Sequence, residues 1–203
     1  FFYVMAHGGW SRGAGRMAFG ALALTTAYLG WSVAAQQLAE TRVQGFLAER
    51  GLSDRPVALT PTPFNTLFWR AIVVDGNDYL NLYVPLVASG AEITAYRHPR
   101  LTAKSACWLD EAKRQNPEIE GLARFSKGFF KLVPEGTGLV YSDLRMGLTP
   151  HYVFSFRLAE ERQGRLAPVR PTREPVVRDF DANSDWLWAG ILGEVIDRPV
   201  ESG

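Results

Sequence analysis

The longest feature of the hydrophobic pattern is a gap in charge. Between Arg16 and Glu40 lie 23 residues without a formal charge, the most apolar part running from Met17 to Ala35. A helix rises about 1.5 Å per residue and a bilayer core is about 30 Å thick, so about 20 such residues cross it. Trp10 ahead of the run, and Tyr28 and Trp31 near its far end, suit the two interfaces. The pattern therefore predicts a transmembrane helix over 17–39. A cleaved signal segment ending at Ser32-Val33-Ala34 and a buried soluble helix compete with it. Against the first, helical patterning continues unbroken from Gln36 to Arg50, and becomes amphipathic. Leu38, Val43, Phe46 and Leu47 share a face, Glu40, Arg42, Glu49 and Arg50 lie elsewhere, and Gly51 is a natural stop. Residues 40–55 read as a helical stalk. Phe1 to Ala6 is again apolar, so residues 1–16 read as the end of a preceding membrane helix and its loop.

Beyond the stalk the period changes to two. Thr60-Pro61-Thr62-Pro63 excludes helix, because each proline disfavours it in the residue before. Leu67 to Val74 and Tyr79 to Leu86 read as strands around an Asp75-Gly76-Asn77-Asp78 turn, and Glu92 to Arg97 as a third strand ended by His98-Pro99. Residues 102–126 read as helical with a break near Asn116-Pro117, where proline suits a helix start. Phe129 to Val133, Leu139 to Leu144 and Tyr152 to Ala159 are further strands. Residues 160–183, rich in Pro and Arg, read as a loop or edge ribbon. Ser184 and Asp185 would cap a last helix with a stripe of Leu187, Trp188, Ile191, Leu192, Val195 and Ile196. Hairpins with helices between and after them predict an α+β fold: an N-terminal transmembrane helix and stalk, then a mainly antiparallel sheet with helices packed on it. The soluble α+β domain would occupy 56–203.

Composition narrows the function classes. With 22 basic and 21 acidic residues, no global attraction to nucleic acid is expected. A lone cysteine, Cys107, excludes an internal disulfide and a multi-cysteine zinc site, and its apolar helical setting predicts burial. His7, His98 and His151 form no HExxH pair, His98 sits in a Pro-flanked loop, and no GxSxG elbow, Walker lysine or dinucleotide fingerprint occurs. Asp75 and Asp78 bracket a glycine turn, where carboxylates ordinarily serve their own backbone.

The informative chemistry is charge set inside apolar strands. Arg70 interrupts Leu67 to Val74, Lys127 and Lys131 flank Gly128-Phe129-Phe130, and Asp143 and Arg145, two apart, would share a strand face. Such groups must pair, reach solvent or meet a ligand. The first reading is an ion-pair network centred on Asp143, with Arg70, Arg145 or Lys131 as partners. The second is a pocket for an anionic group, and the third is plain exposure.

Four segments carry a resemblance. Thr60-Pro61-Thr62-Pro63-Phe64-Asn65-Thr66-Leu67-Phe68-Trp69-Arg70 looks like the TPTPFNTLLWR stretch of YdjM-type inner-membrane proteins. Phe125 to Lys131 is similar to their F-[ST]-x-G-F-[FY] stretch. Ser142 to Gly147, followed by Tyr152 to Phe156, resembles their DLRMG…YVFxF block, and Thr26 to Ser32 also fits. The family is described as metal-dependent hydrolases of the bacterial inner (cytoplasmic) membrane, multi-pass. The resemblance implies that any divalent metal sits in an N-terminal membrane portion around an HRGxTHS motif. That motif is absent from this chain: Ala6 to Ser11 lacks its second histidine, so no metal ligand is assigned here. The bilayer and other membrane helices of the same full-length protein are the implied partners, and Gly20, Ala21, Ala23, Ala27, Gly30 and Ala34 would allow close helix contact. As part of a hydrolase, the soluble domain would cover or complete a site near the membrane, with Asn65, Arg70, Lys127, Asp143 and Arg145 orienting a polar or anionic substrate group. The alternative is a non-catalytic, membrane-tethered module for an anionic ligand, a lipid headgroup or a partner protein. A purely structural role for these charges is the third.

Overall fold

A computed structural model describes residues 12–87, 92–175 and 181–194, together with Arg198 and Glu201. Helix α1 is continuous over Arg12–Ala48. Among the described residues it is the one helix long and apolar enough to cross a membrane, and its most apolar window is not buried in the protein at all. Phe19, Leu22, Leu24 and Leu29 stand exposed along it. From Ala35 onward the same helix changes role: Ala35, Ala39, Val43 and Leu47, four apart, are fully buried. The expected stripe holds at Val43 and Leu47 and fails at its other two positions. Leu38 is exposed and Phe46 only flanks the contact, because the two alanines let the helix lie close on a sheet. Gly51 ends α1 at φ +68, its N–H donating to the Ala48 carbonyl and that of Leu52 to Leu47, the paired bonds of a Schellman motif.

The sheet beneath α1 has the order β1-β2-β3-β4, all antiparallel, with β1 Val57–Pro61, β2 Phe68–Asp75, β3 Asp78–Pro85 and β4 Thr94–Pro99. The β2–β3 hairpin turns at Gly76 with φ +62, and Asp75 and Asp78 at its neck pair with Arg97, Asp75 also with Arg55. Strand β2 is buried on both faces. Trp69, Ala71 and Val73 meet α1, while Phe68 and Ile72 enter two other apolar clusters and Arg70 lies between them. That is why its sequence reads as an almost uninterrupted apolar run. The short β1 carried no such signal and was not foreseen.

A second antiparallel sheet, in the order β10-β9-β6-β5, comprises β5 Phe130–Glu135, β6 Gly138–Asp143, β9 Ser155–Arg162 and β10 Arg165–Arg173. Helices α2 (Ala103–Gln115) and α3 (Pro117–Phe125) pack on it through Leu109, Ala112 and Ile119. Thr102 and Ser105 form a capping box for α2, and Asn116 caps α3 ahead of Pro117. A parallel bridge from Leu101 to Leu132 joins the two halves. Cys107 is exposed, not buried, because the inward face of α2 is set by Ser105, Leu109 and Ala112. The stretch expected as one strand from Tyr152 to Ala159 is divided into a small ladder of β7 (Gly147–Leu148) with β8 (His151–Tyr152), and then β9. The Pro- and Arg-rich ribbon is β10, an edge strand whose register shifts between Pro168 and Thr172.

Helix α4 (Asp181–Leu192) lies on the face of the first sheet opposite α1, against Phe68 and Tyr83. A Cβ at Gly190 would come within 2.3 Å of the Phe68 ring, so only glycine allows this approach. The helix starts before Ser184 and Asp185, which therefore do not cap it. It buries Trp186 and Ala189, and of the expected stripe Leu187 and Ile191 pack against the same cluster while Trp188 and Leu192 are exposed and Val195 and Ile196 lie outside the described residues. Residues 1–11, including His7 and the expected end of an earlier membrane helix, also lie outside them.

Candidate functional site

The five residues singled out in the sequence divide into three places. Asn65 braces a loop. Its Oδ1 accepts from the N–H groups of Leu67 (3.0 Å) and Phe68 (2.8 Å), and its Nδ2 donates to Thr62 Oγ1 at 2.7 Å. Thr62 in turn bonds the Phe68 carbonyl through both N–H and hydroxyl, 2.9 Å each. With its amide spent on this turn, Asn65 has little left for a substrate.

Arg70 lies between the first sheet and the 144–152 turns. Its Nε and Nη2 donate to Asn81 Oδ1 (3.1 and 2.7 Å), and its Nη1 to the carbonyls of Leu144 (3.0 Å) and Gly147 (2.6 Å). Asn81 passes the chain on, donating to Thr149 Oγ1 and to Glu201 Oε2, both at 2.9 Å. Glu201 is the hub. Tyr83 donates to it at 2.5 Å and Arg198 at 2.7 Å, and His98 Nε2 lies 2.6 Å from its Oε2. Burial pushes the Glu201 carboxyl up, but the bonds from His98, Tyr83 and Asn81 and the Arg198 charge together outweigh it and hold it at about 2. Burial pushes the Tyr79 and Tyr83 hydroxyls upward, keeping them neutral donors. His98 is thus a buried residue of β4 and not part of a loop. Every buried polar side-chain atom described here finds a partner.

Asp143 and Arg145 form the third place. Asp143 ends β6, while Arg145 lies in the following turn and folds back onto it, so the two do not share a strand face. Arg145 Nε and Nη2 bind the two carboxylate oxygens at 3.0 and 2.6 Å, a bidentate pair that raises the guanidinium pKa further. Its Nη2 also donates to the Phe125 carbonyl at 2.8 Å, tying it to the end of α3. The expected network around Asp143 shrinks to this one pair. Arg70 bonds Asn81 instead, and Lys131 lies 5.0 Å over the Tyr152 ring.

Beside this pair opens a groove of about 620 Å³, lined by Thr60, Gly121, Arg124, Phe125, Lys127, Arg145 and Met146. Lys127 takes a left-handed φ of +52 just past the end of α3, and it is exposed with no acidic partner among the described residues. Arg124 is exposed and 3.7 Å from Glu120. Phe125 and Met146 supply exposed apolar walls, the Phe125 ring lying 5.2 Å from the Arg145 guanidinium. Three of the four segments that carry the resemblance reach this groove: Thr60 opens the first, Phe125 and Lys127 belong to the second, Arg145 and Met146 to the third.

Sequence reasoning missed Asn81, Tyr83, His98, Thr149, Arg198 and Glu201. Asn81, polar between Leu80 and Leu82, carried the same signal as Arg70 and was the one open to detection. Among the described residues no group of three or more His, Cys, Asp or Glu could hold a metal ion. No family model, curated protein or solved structure matches this chain.

Proposed function

We propose that the folded part is a membrane-tethered binding module whose groove takes the anionic head of an amphiphile at the bilayer surface. One observation carries the reading. Three motifs far apart in the chain converge on a single open groove that combines Arg124, Lys127 and Arg145 with Phe125 and Met146. Guanidinium and ammonium groups bind an anion, Arg145 being held in place by Asp143, and apolar walls reward an attached hydrocarbon part. Thr60 also adjoins the 61–67 loop, whose Thr66 bonds Trp31 of α1, which supports a groove near the membrane. Under the hydrolase reading that the resemblance implies, the same groove would hold a polar substrate group in a multi-pass protein of the bacterial inner membrane, the metal being held outside this chain.

The test uses the full chain in phosphatidylcholine nanodiscs, titrated calorimetrically with short-chain phosphatidylglycerol, short-chain phosphatidylcholine and inorganic phosphate. The anionic lipid should bind best, and Arg124→Gln with Lys127→Gln should weaken it several-fold. Phosphate alone binding equally well would point to a free anion as ligand. Identical titrations for the native chain and the double variant would sink the groove as a site.

A further inference from the structure

The loop between β1 and β2 ends in an anomaly. Phe64 is 100% exposed and sits at φ +61, a conformation that L residues other than Asn, Asp and His seldom take. Nothing about the turn needs a phenyl ring there. The loop is nonetheless rigid: Pro61 and Pro63 restrict it, Thr62 is buried, and Asn65 and Thr62 close it through the bonds described above. A stiff loop that presents a bare aromatic ring in a strained conformation has the form of a contact element.

Its position identifies the occupant. Trp31 Nε1, on the exposed apolar half of α1, donates to Thr66 Oγ1 at 3.0 Å. Trp31 lies near the end of the uncharged stretch, at the level where a tryptophan meets lipid headgroups. Phe64 is two residues from Thr66, so the loop stands at the same height as Trp31. The segment just after β3 adds to the surface, since Leu86 N–H donates to the Leu67 carbonyl at 2.8 Å and Val87 is exposed. The Asp75–Asp78 hairpin, with its arginine pairs, occupies the opposite end of the same sheet.

We propose that the 61–67 loop is a second membrane contact, with the Phe64 ring seated among the lipid headgroups and upper acyl chains beside α1. This rests on the reading that α1 spans the bilayer. It would fix the tilt of the folded part, because two separated contacts define an orientation that a single helix leaves free.

The full chain, with exposed Cys107 replaced by Ser, would carry a single environment-sensitive fluorophore at Phe64→Cys, Asn77→Cys or Leu24→Cys. Each labelled protein would be reconstituted in phosphatidylcholine–phosphatidylglycerol vesicles containing lipids spin-labelled near the headgroup or in the acyl chain. The label at 24 should be quenched from the acyl chain, and that at 64 from the headgroup region several-fold more than that at 77. Quenching at 24 with position 64 no different from 77 would overturn the loop contact while leaving the span intact. Absence of quenching at all three would overturn both.

Discussion

Two arginines flagged by the same argument ended in opposite surroundings. Arg70 is enclosed, with its donors committed to Asn81 and two carbonyls and a buried carboxylate one residue further along the network. Arg145 is about one quarter exposed (23%) at a groove, held in place by one carboxylate and one carbonyl, with Lys127 and Arg124 lining the same groove. A charge set among apolar neighbours in the sequence thus has two physical outcomes. Where the neighbouring layer supplies acceptors, the charge joins architecture. Where the charge lies in a turn and one carboxylate holds it at the surface, as Asp143 holds Arg145, part of the guanidinium stays open to a ligand.

The strongest way to break this contrast is Arg70→Met. It strands the Asn81 amide oxygen and two carbonyls in a closed interior, and should cost about 3–5 kcal/mol in denaturant unfolding of the full chain in detergent. A loss under 1 kcal/mol would show that water reaches the cluster. Glu201→Gln comes next. The native carboxyl is held at about 2 against an ordinary 4.5, so its stabilisation is complete above pH 4.5 and is lost as pH falls toward 2. The contribution is roughly 3 kcal/mol, and the glutamine variant should lose most of it at pH 7 and show a flatter profile across that acid window. Asn65→Ala should cost about 1 kcal/mol through the lost turn bonds and leave groove affinity unchanged. An equal fall in affinity would return Asn65 to the site. The smallest effect on folding is expected for Lys127→Gln, within about 0.5 kcal/mol, while the anionic amphiphile binds several-fold more weakly. A stability loss as large as that of Arg70→Met would erase the distinction.

The tail of α1 and the face of β2 show how far pattern reading goes. The uncharged stretch, the Gly51 stop, the Asp75–Asp78 hairpin and the break at Pro117 were all legible, because each rests on residues within a turn or two of one another. The buried stripe of α1 was read correctly at Val43 and Leu47 but continued through Leu38 instead of Ala35 and Ala39, since those alanines look unremarkable until a sheet presses on them. Cys107 was misread for a related reason: an apolar residue on an amphipathic helix is inside only if the partner layer lies on that side.

The sequence by itself determined that this chain joins a membrane-length apolar helix to an antiparallel α+β body, and that a few charges needed an explanation. Both follow from local quantities, namely run length, periodicity and the desolvation cost of a charge. Only the tertiary structure decided which carboxylate met which cation. Register places Arg70 beside Tyr83 and Ile72 beside Asn81, and residues 120 positions apart supply the hub at Glu201. It also brought Thr60, Lys127 and Arg145 around one groove. Ion pairing and cavity formation depend on distances across the fold, which no spacing along the chain encodes.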